Sequence, residues 1–389
     1  MRAGATGSRT RHHGNEDMTD GLIRIGIQGF CSLASVELEP GRLTVLIGSN
    51  GSGKSNVLRA LKLAPLLRTQ SLERFAESEG GAAALLHDGP RRTQSIALEL
   101  EFHEEDQRIR YAARLGFAAG DRLILEEESM AHGKESGGGP TGTSLGTGHW
   151  ESKLGDASLT DAAARCVAWR LGQMAFFHFR DPSMTSSLRT RARAEDDRYL
   201  RSNGSNLAAY LARLQQGAEE PDRAAWRRIN GLVHRVAPSV KELRPTIEDG
   251  TNGGRSVRLD WIDDQDEIFG AHQLSDGTLR AIALITALAQ PTKRLPRFMS
   301  IDEPELGLHP AAIALIAELA RSVSRHCQVL FATQSTAFLD HFEPEEVVVV
   351  GRENGATTLH RPEPEPLAAW LQEYRLSEVY EKGLLEGRP

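Results

Sequence analysis

A glycine-rich stretch close to the amino end constrains this chain more than any other feature. Residues 43–47 are an apolar run, residues 48–55 follow the pattern G-x-x-x-x-G-K-S, and an amphipathic stretch comes next. When such a loop connects a strand to a helix, its backbone N–H groups can surround a triphosphate. The positive end of the new helix points at the same anion. A glycine-rich turn that merely fits the pattern is the alternative, which the rest of the chain disfavours.

The loop and the first helical turn supply the candidate ATP ligands. Lys54 is expected to reach the β- and γ-phosphates, and the hydroxyl of Ser55 is expected to ligate Mg²⁺. The predicted ATP-binding residues are Gly48, Ser49, Asn50, Gly51, Ser52, Gly53, Lys54, Ser55 and Asn56. The sequence therefore predicts ATP and Mg²⁺ as cofactors.

An acidic pair marks a second part of the same predicted site. Residues 296–310 read PRFMSIDEPELGLHP, an apolar strand that ends in Asp302 and Glu303. At the carboxyl end of a parallel strand, both carboxylates lie beside the phosphate loop. Asp302 is predicted to hold Mg²⁺, and Glu303 is predicted to be the catalytic residue that orients and polarises the attacking water. An acidic pair that only ends a strand is the alternative.

Two further segments carry candidate site residues. Ser275 is a natural helix N-cap, Asp276 and Gly277 follow in the first turn, and the helix beyond them is apolar nearly all round. A buried helix with an exposed start is a second anion site, although a well-capped core helix is the alternative. The strand at 328–333 ends in Gln334, which is either a second catalytic residue near the γ-phosphate or an ordinary strand-end amide.

Composition limits the partners and the compartment. The chain has 389 residues and a net charge of −7, so it is not a basic nucleic-acid-binding protein as a whole. A local patch could still contact DNA, and the arginine-rich connector at 189–201 is the candidate, although the acids inside it favour a solvated loop. No apolar run approaches the roughly 18 residues that span a bilayer, and no signal peptide is evident. The three distant cysteines fit a reducing cytoplasm.

The pattern along the chain predicts one α/β head. Residues 22–389 are expected to form it, preceded by a disordered tail at 1–21 in which Met1 or Met18 is the true start. Three parts of the head stand out: an antiparallel β region at about 93–128, a flexible Gly-rich loop at 131–148, and a helical lobe at about 181–245.

Taken in order, these motifs resemble the RecF/SMC branch of the ABC ATPases, and more closely its stand-alone predicted ATPases. IRIGIQGFCSL is similar to the opening strand of that branch, and GSNGSGKSN to its Walker A motif. LSDGTLRAIAL resembles the ABC signature, and DEPELGLHP the Walker B motif and D-loop. The resemblance implies a P-loop NTPase fold of ABC-ATPase type: a mixed central sheet with an antiparallel β subdomain and a helical lobe.

The resemblance also implies a head-to-tail homodimer that holds two ATP molecules between its subunits. Ser275, Asp276 and Gly277 of one subunit would complete the site of the other, and hydrolysis would release the two heads. The chain departs from the family pattern in its SDG signature and in Gln334, where histidine is common. Because an amide cannot titrate, slow hydrolysis is expected. A Q-loop glutamine cannot be placed, since Gln173 is at the wrong end of its strand.

The expected function is ATP-driven dimerisation that regulates a nucleic-acid-related process, in DNA repair or antiphage defence. Its DNA part rests on family analogy. A nucleotide-gated scaffold that recruits an effector with negligible turnover is the alternative, and a transporter motor is disfavoured by the missing Q-loop. The lack of a long coiled coil argues against a tethering SMC protein. About 55 residues follow Gln334, too few for a Toprim nuclease domain, so any nuclease or effector is expected to be a separate polypeptide.

Overall fold

The structure, a computed structural model, describes most of the chain. The described residues are 20–134, 141–179, 186–249 and 254–386. Residues 1–19 of the expected disordered tail, which include both candidate start residues, lie outside these ranges. The tail was expected to end at residue 21, but Gly21 already begins the first strand.

The strands and helices alternate along the chain as follows. The strands are β1 Gly21–Phe30, β2 Leu33–Leu38, β3 Leu43–Ile47, β4 Ser95–Glu104, β5 Gln107–Ala118, β6 Arg122–Lys134, β7 Thr141–Gly146, β8 Met174–Phe177, β9 Ala192–Arg193, β10 Glu242–Asp249, β11 Arg255–Ile262, β12 Ile268–Gly270, β13 Phe298–Asp302, β14 Gln328–Thr333, β15 Val347–Glu353 and β16 Ala356–His360. The α-helices are α1 Lys54–Leu61, α2 Leu63–Arg68, α3 Leu72–Ser78, α4 Ala82–Leu85, α5 Leu154–Thr160, α6 Ala162–Gly172, α7 Leu207–Gln216, α8 Glu220–Val236, α9 Asp276–Ala289, α10 Pro310–Val323, α11 Thr336–Leu339, α12 Pro364–Trp370 and α13 Leu376–Glu381. None of the helices in the described part of the chain is both long and apolar enough to cross a bilayer.

A mixed central sheet places the two predicted phosphate-site motifs side by side. Its strand order is β16-β15-β3-β14-β13-β8, with β16 antiparallel to β15 and the other pairs parallel. All five residues of β3 are buried, as expected for a strand covered on both faces. Because side chains alternate along a strand, Val45 and Ile47 enter one hydrophobic core and Leu46 enters the other. The carboxyl ends of β3, β13 and β14 therefore meet at one edge of the sheet.

An antiparallel sheet lies over the core that contains Leu46, in the strand order β2-β1-β4-β5-β6-β7. It extends beyond the β region predicted at about 93–128. The expectation of a flexible loop at 131–148 is wrong for residues 131–134 and 141–146, which belong to β6 and β7 and pair in an antiparallel register. The glycine content suggested a loop, but the edge of β6 supplies unpaired backbone groups, and Leu145 packs against the core. Residues 135–140 of the expected loop are outside the described ranges.

The core that contains Val45 and Ile47 joins the helical lobe to the central sheet. The helical lobe was predicted at about 181–245. This region contains the helices α7 and α8, but the strand β10 begins before the predicted end of the lobe. The small sheet of β9, β10, β11 and β12 packs against α7. Tyr210, Ile229 and Ile282 are all fully buried in the shared core. The lobe therefore holds α9, whose first turn carries the candidate signature, in a fixed position.

Candidate nucleotide-binding site

The predicted phosphate loop lies between β3 and α1, in the strand–loop–helix context that its pattern requires. Gly51 and Gly53 have φ values of 79° and 113°, in the left-handed region that L side chains rarely adopt. A Cβ atom at Gly53 would also lie 2.9 Å from the hydroxyl oxygen of Ser32. Backbone conformation and close packing therefore both require glycine at position 53.

Lys54 folds back into the loop. Its side chain is buried, and Nζ donates hydrogen bonds to the carbonyl oxygens of Gly48 at 2.7 Å and Ser49 at 2.9 Å. A buried ammonium group is stable only when its charge is satisfied. The loop thus holds a positive charge at the start of α1, where the helix end also favours an anion.

A chain of hydrogen bonds ties the loop to two distant segments. Asn56 Nδ2 donates to Ser32 Oγ at 2.9 Å, and Ser32 Oγ is 2.7 Å from Thr357 Oγ1. Thr357 Oγ1 in turn donates to the carbonyl oxygen of Ser52 at 2.8 Å. Ser32 lies between β1 and β2, and Thr357 is on β16, so no local sequence signal predicted either residue. Asn56, a predicted ATP ligand, supports the loop in this structure.

The acidic pair ends β13 at the same edge of the sheet. Glu303 has a φ of 49°, and its backbone N–H donates to the carbonyl oxygen of Ala332 at 2.8 Å. A non-glycine residue in this conformation is strained, and such strain is concentrated at functional sites. Glu303 and Lys54 line one cavity of about 380 Å³, together with Asn50, Gly51, Gly53, Ser55, Asn56 and residues of neighbouring segments. The structure thus brings together the predicted phosphate-binding lysine and the predicted catalytic carboxylate.

The donor atoms at this edge fit Mg²⁺. Ser55 lines the cavity at the start of α1, whereas Asp302, the last residue of β13, is next to Glu303 in the chain but is not among the described residues that line the cavity. Mg²⁺ prefers hard oxygen ligands, and it is usually bound by one or two protein groups together with substrate phosphates. Ser55 and Asp302 therefore suit a Mg²⁺ ion that binds along with the nucleotide.

Glu305 is a candidate site residue that sequence reasoning missed. Its Oε1 atom accepts a hydrogen bond from the backbone N–H of Gln334 at 3.4 Å, and its Oε2 atom is buried with no hydrogen-bond partner among the described residues. Burial raises the pKa of the Glu305 carboxyl, and the nearby charge of Glu303 raises it further. The sequence signal that could have identified Glu305 is its position as the third acidic residue of the segment DEPE at 302–305. Glu305 links the turn after β13 to the end of β14.

Gln334 follows β14, as predicted, but its side chain is exposed and is not among the described residues that line the cavity. Its backbone is anchored by Glu305. The structure therefore places Gln334 at the correct edge of the sheet without bringing its amide into the cavity.

The candidate signature begins α9 on an exposed surface. Ser275 Oγ accepts a hydrogen bond from the Thr278 N–H at 3.1 Å, which is the N-cap geometry expected from the sequence. Ser275 and Asp276 are exposed, and Asp276 forms an ion pair with Arg189. None of the residues at 275–277 is among those described as lining the cavity with Lys54. The signature is thus accessible to a neighbouring molecule and separate from the phosphate site of its own chain.

Gly277 allows α9 to pack closely against the turn after β13. A Cβ atom at this position would overlap with the carbonyl oxygen of Gly307 in the same chain. Gly307 has a φ of 73°, and Leu306 beside it is 41% exposed. The start of α9 and this turn therefore form one continuous exposed surface.

This close approach gives a test of the packing at the signature. We expect Gly277→Ala to lower the free energy of unfolding by about 1–3 kcal/mol, because overpacking against backbone outweighs the better helix propensity of alanine. Gly231→Ala on α8 is the matched control: a Cβ there meets nothing within 4 Å, and we expect a gain of up to about 1 kcal/mol. Urea denaturation of both variants measures the difference. Equal effects of the two substitutions would contradict the close packing.

Comparison with protein families gives an extended match. A family model described as "AAA domain, putative AbiEii toxin, Type IV TA system" matches residues 43–138 and 139–340. This match spans the phosphate loop, the signature, the acidic pair and Gln334.

Curated relatives match over shorter segments. The "DNA replication and repair protein RecF" of Anaeromyxobacter sp. (strain Fw109-5) is 38% identical over 85 residues, which cover 20% of this chain and 23% of that protein. The "Old nuclease" of Escherichia phage P2 is 25% identical over 173 residues, covering 42% of this chain and 28% of that protein. The chain thus spans less than a third of the length of these relatives.

Solved structures match over nearly the whole fold. An SmcHead bound to the C-winged helix domain of ScpA has a TM-score of 0.59 at 14% identity, covering 90% of this chain and 99% of that one. An Smc head domain from Pyrococcus yayanosii has a TM-score of 0.57 at 11% identity, with 91% and 99% coverage. The predicted resemblance and the predicted ABC-type P-loop fold are confirmed.

Proposed function

The chain belongs to the family described as "AAA domain, putative AbiEii toxin, Type IV TA system", and we propose that it binds ATP with Mg²⁺, hydrolyses it, and dimerises head to tail while ATP is bound. The observation that carries this proposal is the single cavity that Lys54, Ser55 and Glu303 line together.

Three residues of that cavity, together with Asp302 at the end of β13, have distinct parts in the proposed reaction. Lys54 exchanges its carbonyl partners for the β- and γ-phosphates, and the loop N–H groups bind the remaining phosphate oxygens. Ser55 and Asp302 would hold Mg²⁺, which neutralises phosphate charge when it is bound. Glu303 orients a water molecule and accepts its proton as the water oxygen bonds to the γ-phosphorus. The bond from the γ-phosphorus to the β-phosphate oxygen breaks, and ADP and phosphate are the products.

The exposed signature supports the proposed dimer. Ser275 and Asp276 are accessible and lie outside the cavity of their own chain. A two-fold axis brings the same surface of each subunit to the other, so two signatures would close two cavities at once. ATP bound between the subunits would then hold the dimer together, and hydrolysis would separate it.

The nucleic-acid role is proposed from the relatives. The RecF relatives are named for DNA replication and repair, and the Old nuclease relative comes from a phage. We therefore propose that the ATP-dependent dimer acts in the cytoplasm on a nucleic-acid-related process, in DNA repair or antiphage defence, with a separate nuclease or effector protein. A nucleotide-gated scaffold is the second candidate, because Gln334 is outside the described lining of the cavity.

One set of measurements tests the proposal. ATP binding, ATP turnover and molecular mass are measured on the purified protein, with and without DNA. Turnover with an ATP-dependent increase in mass supports the ATPase. Binding and a mass increase without turnover favour the scaffold, and a protein that does not bind ATP overturns both.

Gln334 is expected to limit the rate of hydrolysis. Since an imidazole can accept and donate a proton and an amide cannot, we expect Gln334→His to raise the single-turnover rate by about tenfold. Gln265→His, in an exposed loop between β11 and β12, is the control and should leave the rate unchanged. A Gln334→His rate equal to that of the parent would remove Gln334 from the mechanism.

A further inference from the structure

The arginine-rich connector predicted as a phosphate contact uses several of its charges within the chain. Arg189 pairs with Asp276 and donates to the carbonyl oxygens of Ala271 and Leu274. Arg191 pairs with Glu248 at 2.8 Å, and Arg201 pairs with Asp196 at 2.6 Å. These three arginines are therefore partly neutralised and position the connector. They are poor candidates for binding a ligand.

Arg198 differs from these three arginines because it lines a cavity. The cavity has a volume of about 770 Å³ and lies between α2, the junction of α6 with β8, and the connector. We call this cavity the α2–connector groove. It is defined by Arg68, Trp169, Gln173, Arg198, Tyr199 and Arg294, with β8 along its floor. It is larger than the cavity beside Lys54 and is within the size range of ligand sites.

The charges in the groove are predominantly positive, in a protein whose net charge is −7. The acidic residue that lines it, Glu79, is paired with Arg59, and Arg294 is paired with Asp222 at 2.7 Å. Arg68 and Arg198 are exposed and form no ion pair with any described residue. The guanidinium of Arg68 packs beside Gly172, where a Cβ atom would lie 2.9 Å from it. The groove thus offers two uncompensated, weakly hydrated cations to an anion.

Two exposed aromatic side chains stand beside these cations. Tyr199 is 62% exposed and Trp169 is 42% exposed, although large aromatic side chains usually bury most of their surface. The guanidinium of Arg198 lies 5.3 Å from the centre of the Tyr199 ring, and that of Arg297 lies 5.7 Å from the Trp169 ring. These contacts orient the rings and hold positive charge beside them.

A positive groove with exposed aromatic side chains has the features that bind single-stranded nucleic acid, whose bases stack on rings and whose phosphates pair with arginine. We propose that the α2–connector groove binds a single strand, with a base on Tyr199 and phosphates beside Arg68 and Arg198. This inference rests on the proposed nucleic-acid role and names its site. A duplex keeps its bases stacked inside, and an acidic peptide would not need the rings.

Fluorescence anisotropy with a labelled oligothymidylate tests this site directly on the full chain. We expect Tyr199→Ala to weaken binding by about fivefold or more, since one stacked base is lost. We expect Arg68→Gln to weaken binding and to reduce the slope of log affinity against log salt by about 0.7. Tyr199→Phe keeps the ring and should bind like the parent. Arg227→Gln on α8 and Trp370→Ala are matched controls at exposed residues outside the groove and should also have no effect.

Each other outcome has a defined meaning. Polyglutamate and a duplex oligonucleotide are measured as competing ligands. Polyglutamate binding that falls with Arg68→Gln but not with Tyr199→Ala would overturn the proposal in favour of an acidic peptide. Preference for the duplex, no binding, or binding that neither groove substitution changes would also overturn it. ATP turnover and thermal unfolding of every variant are recorded in parallel, so that loss of the groove site is distinguished from failure of the proposed ATPase and from misfolding.

Discussion

Lys54→Ala is expected to lower the affinity for ATP by at least about 100-fold. The lysine is buried in the loop and donates to two carbonyl oxygens of that loop, so its ammonium group is already held inside the proposed phosphate site. Two hydrogen bonds from a charged group to phosphate oxygens contribute about 3–6 kcal/mol together, which corresponds to about two to four orders of magnitude in Kd. Isothermal titration calorimetry with ATP and Mg²⁺ measures the change.

The control for this variant is Lys241→Ala, which removes an exposed lysine just before β10 that pairs with Asp266 in the loop between β11 and β12. We expect its ATP affinity to equal that of the parent. Unfolding midpoints of both variants without nucleotide show whether the loop still folds. A folded Lys54→Ala protein that binds ATP within about threefold of the parent would show that Lys54 does not contact the phosphates.

Glu303→Gln is expected to slow ATP turnover by about 100-fold or more while leaving ATP binding intact. An amide is isosteric with the carboxylate but cannot accept a proton from the attacking water, and such groups contribute about 10²–10⁴ in rate. Because hydrolysis would no longer separate the heads, a dimer should accumulate with ATP. Light scattering with saturating ATP should then report twice the mass of the nucleotide-free protein. Glu318→Gln on the exposed face of α10 is the control.

A double variant tests whether the signature closes the partner's site. Aspartate replaces serine well as an N-cap, so Ser275→Asp should keep α9 folded while placing a negative charge where we propose the partner's triphosphate binds. We expect Ser275→Asp combined with Glu303→Gln to bind ATP with little change and to remain monomeric. If Glu303→Gln alone stays monomeric with ATP bound, the head-to-tail model is wrong. If the double variant still dimerises, the interface lies elsewhere.

The phosphate loop was predictable because its determinants are local. Gly51, Gly53 and Lys54 act within one strand–loop–helix unit, and their conformations follow from glycine stereochemistry and the helix end. The N-cap of α9 at Ser275 was predictable for the same reason. Asp302 and Glu303 required one more step, since the end of a buried strand had to be placed beside the loop by a rule for parallel sheets.

The expected flexible loop shows where local reasoning failed. Residues 141–146 contain glycine and serine, and their composition alone favours a turn. Their strand exists because the edge of β6 offers hydrogen bonds and because Leu145 reaches a core built from distant residues. Pairing with an existing edge outweighed the low intrinsic strand propensity of the segment.

By itself, the sequence determined the loop that we propose binds a triphosphate, because the required glycines, lysine and serine lie within the eight residues 48–55. It also determined the class of fold, through the order of its motifs. Only the tertiary structure decided that Ser32 and Thr357 support the loop, that Glu305 anchors Gln334, and that Arg68, Arg198 and Tyr199 share one groove. Ser32 and Thr357, for example, are 325 positions apart in the sequence. Such contacts could not be predicted locally because they depend on how whole elements pack.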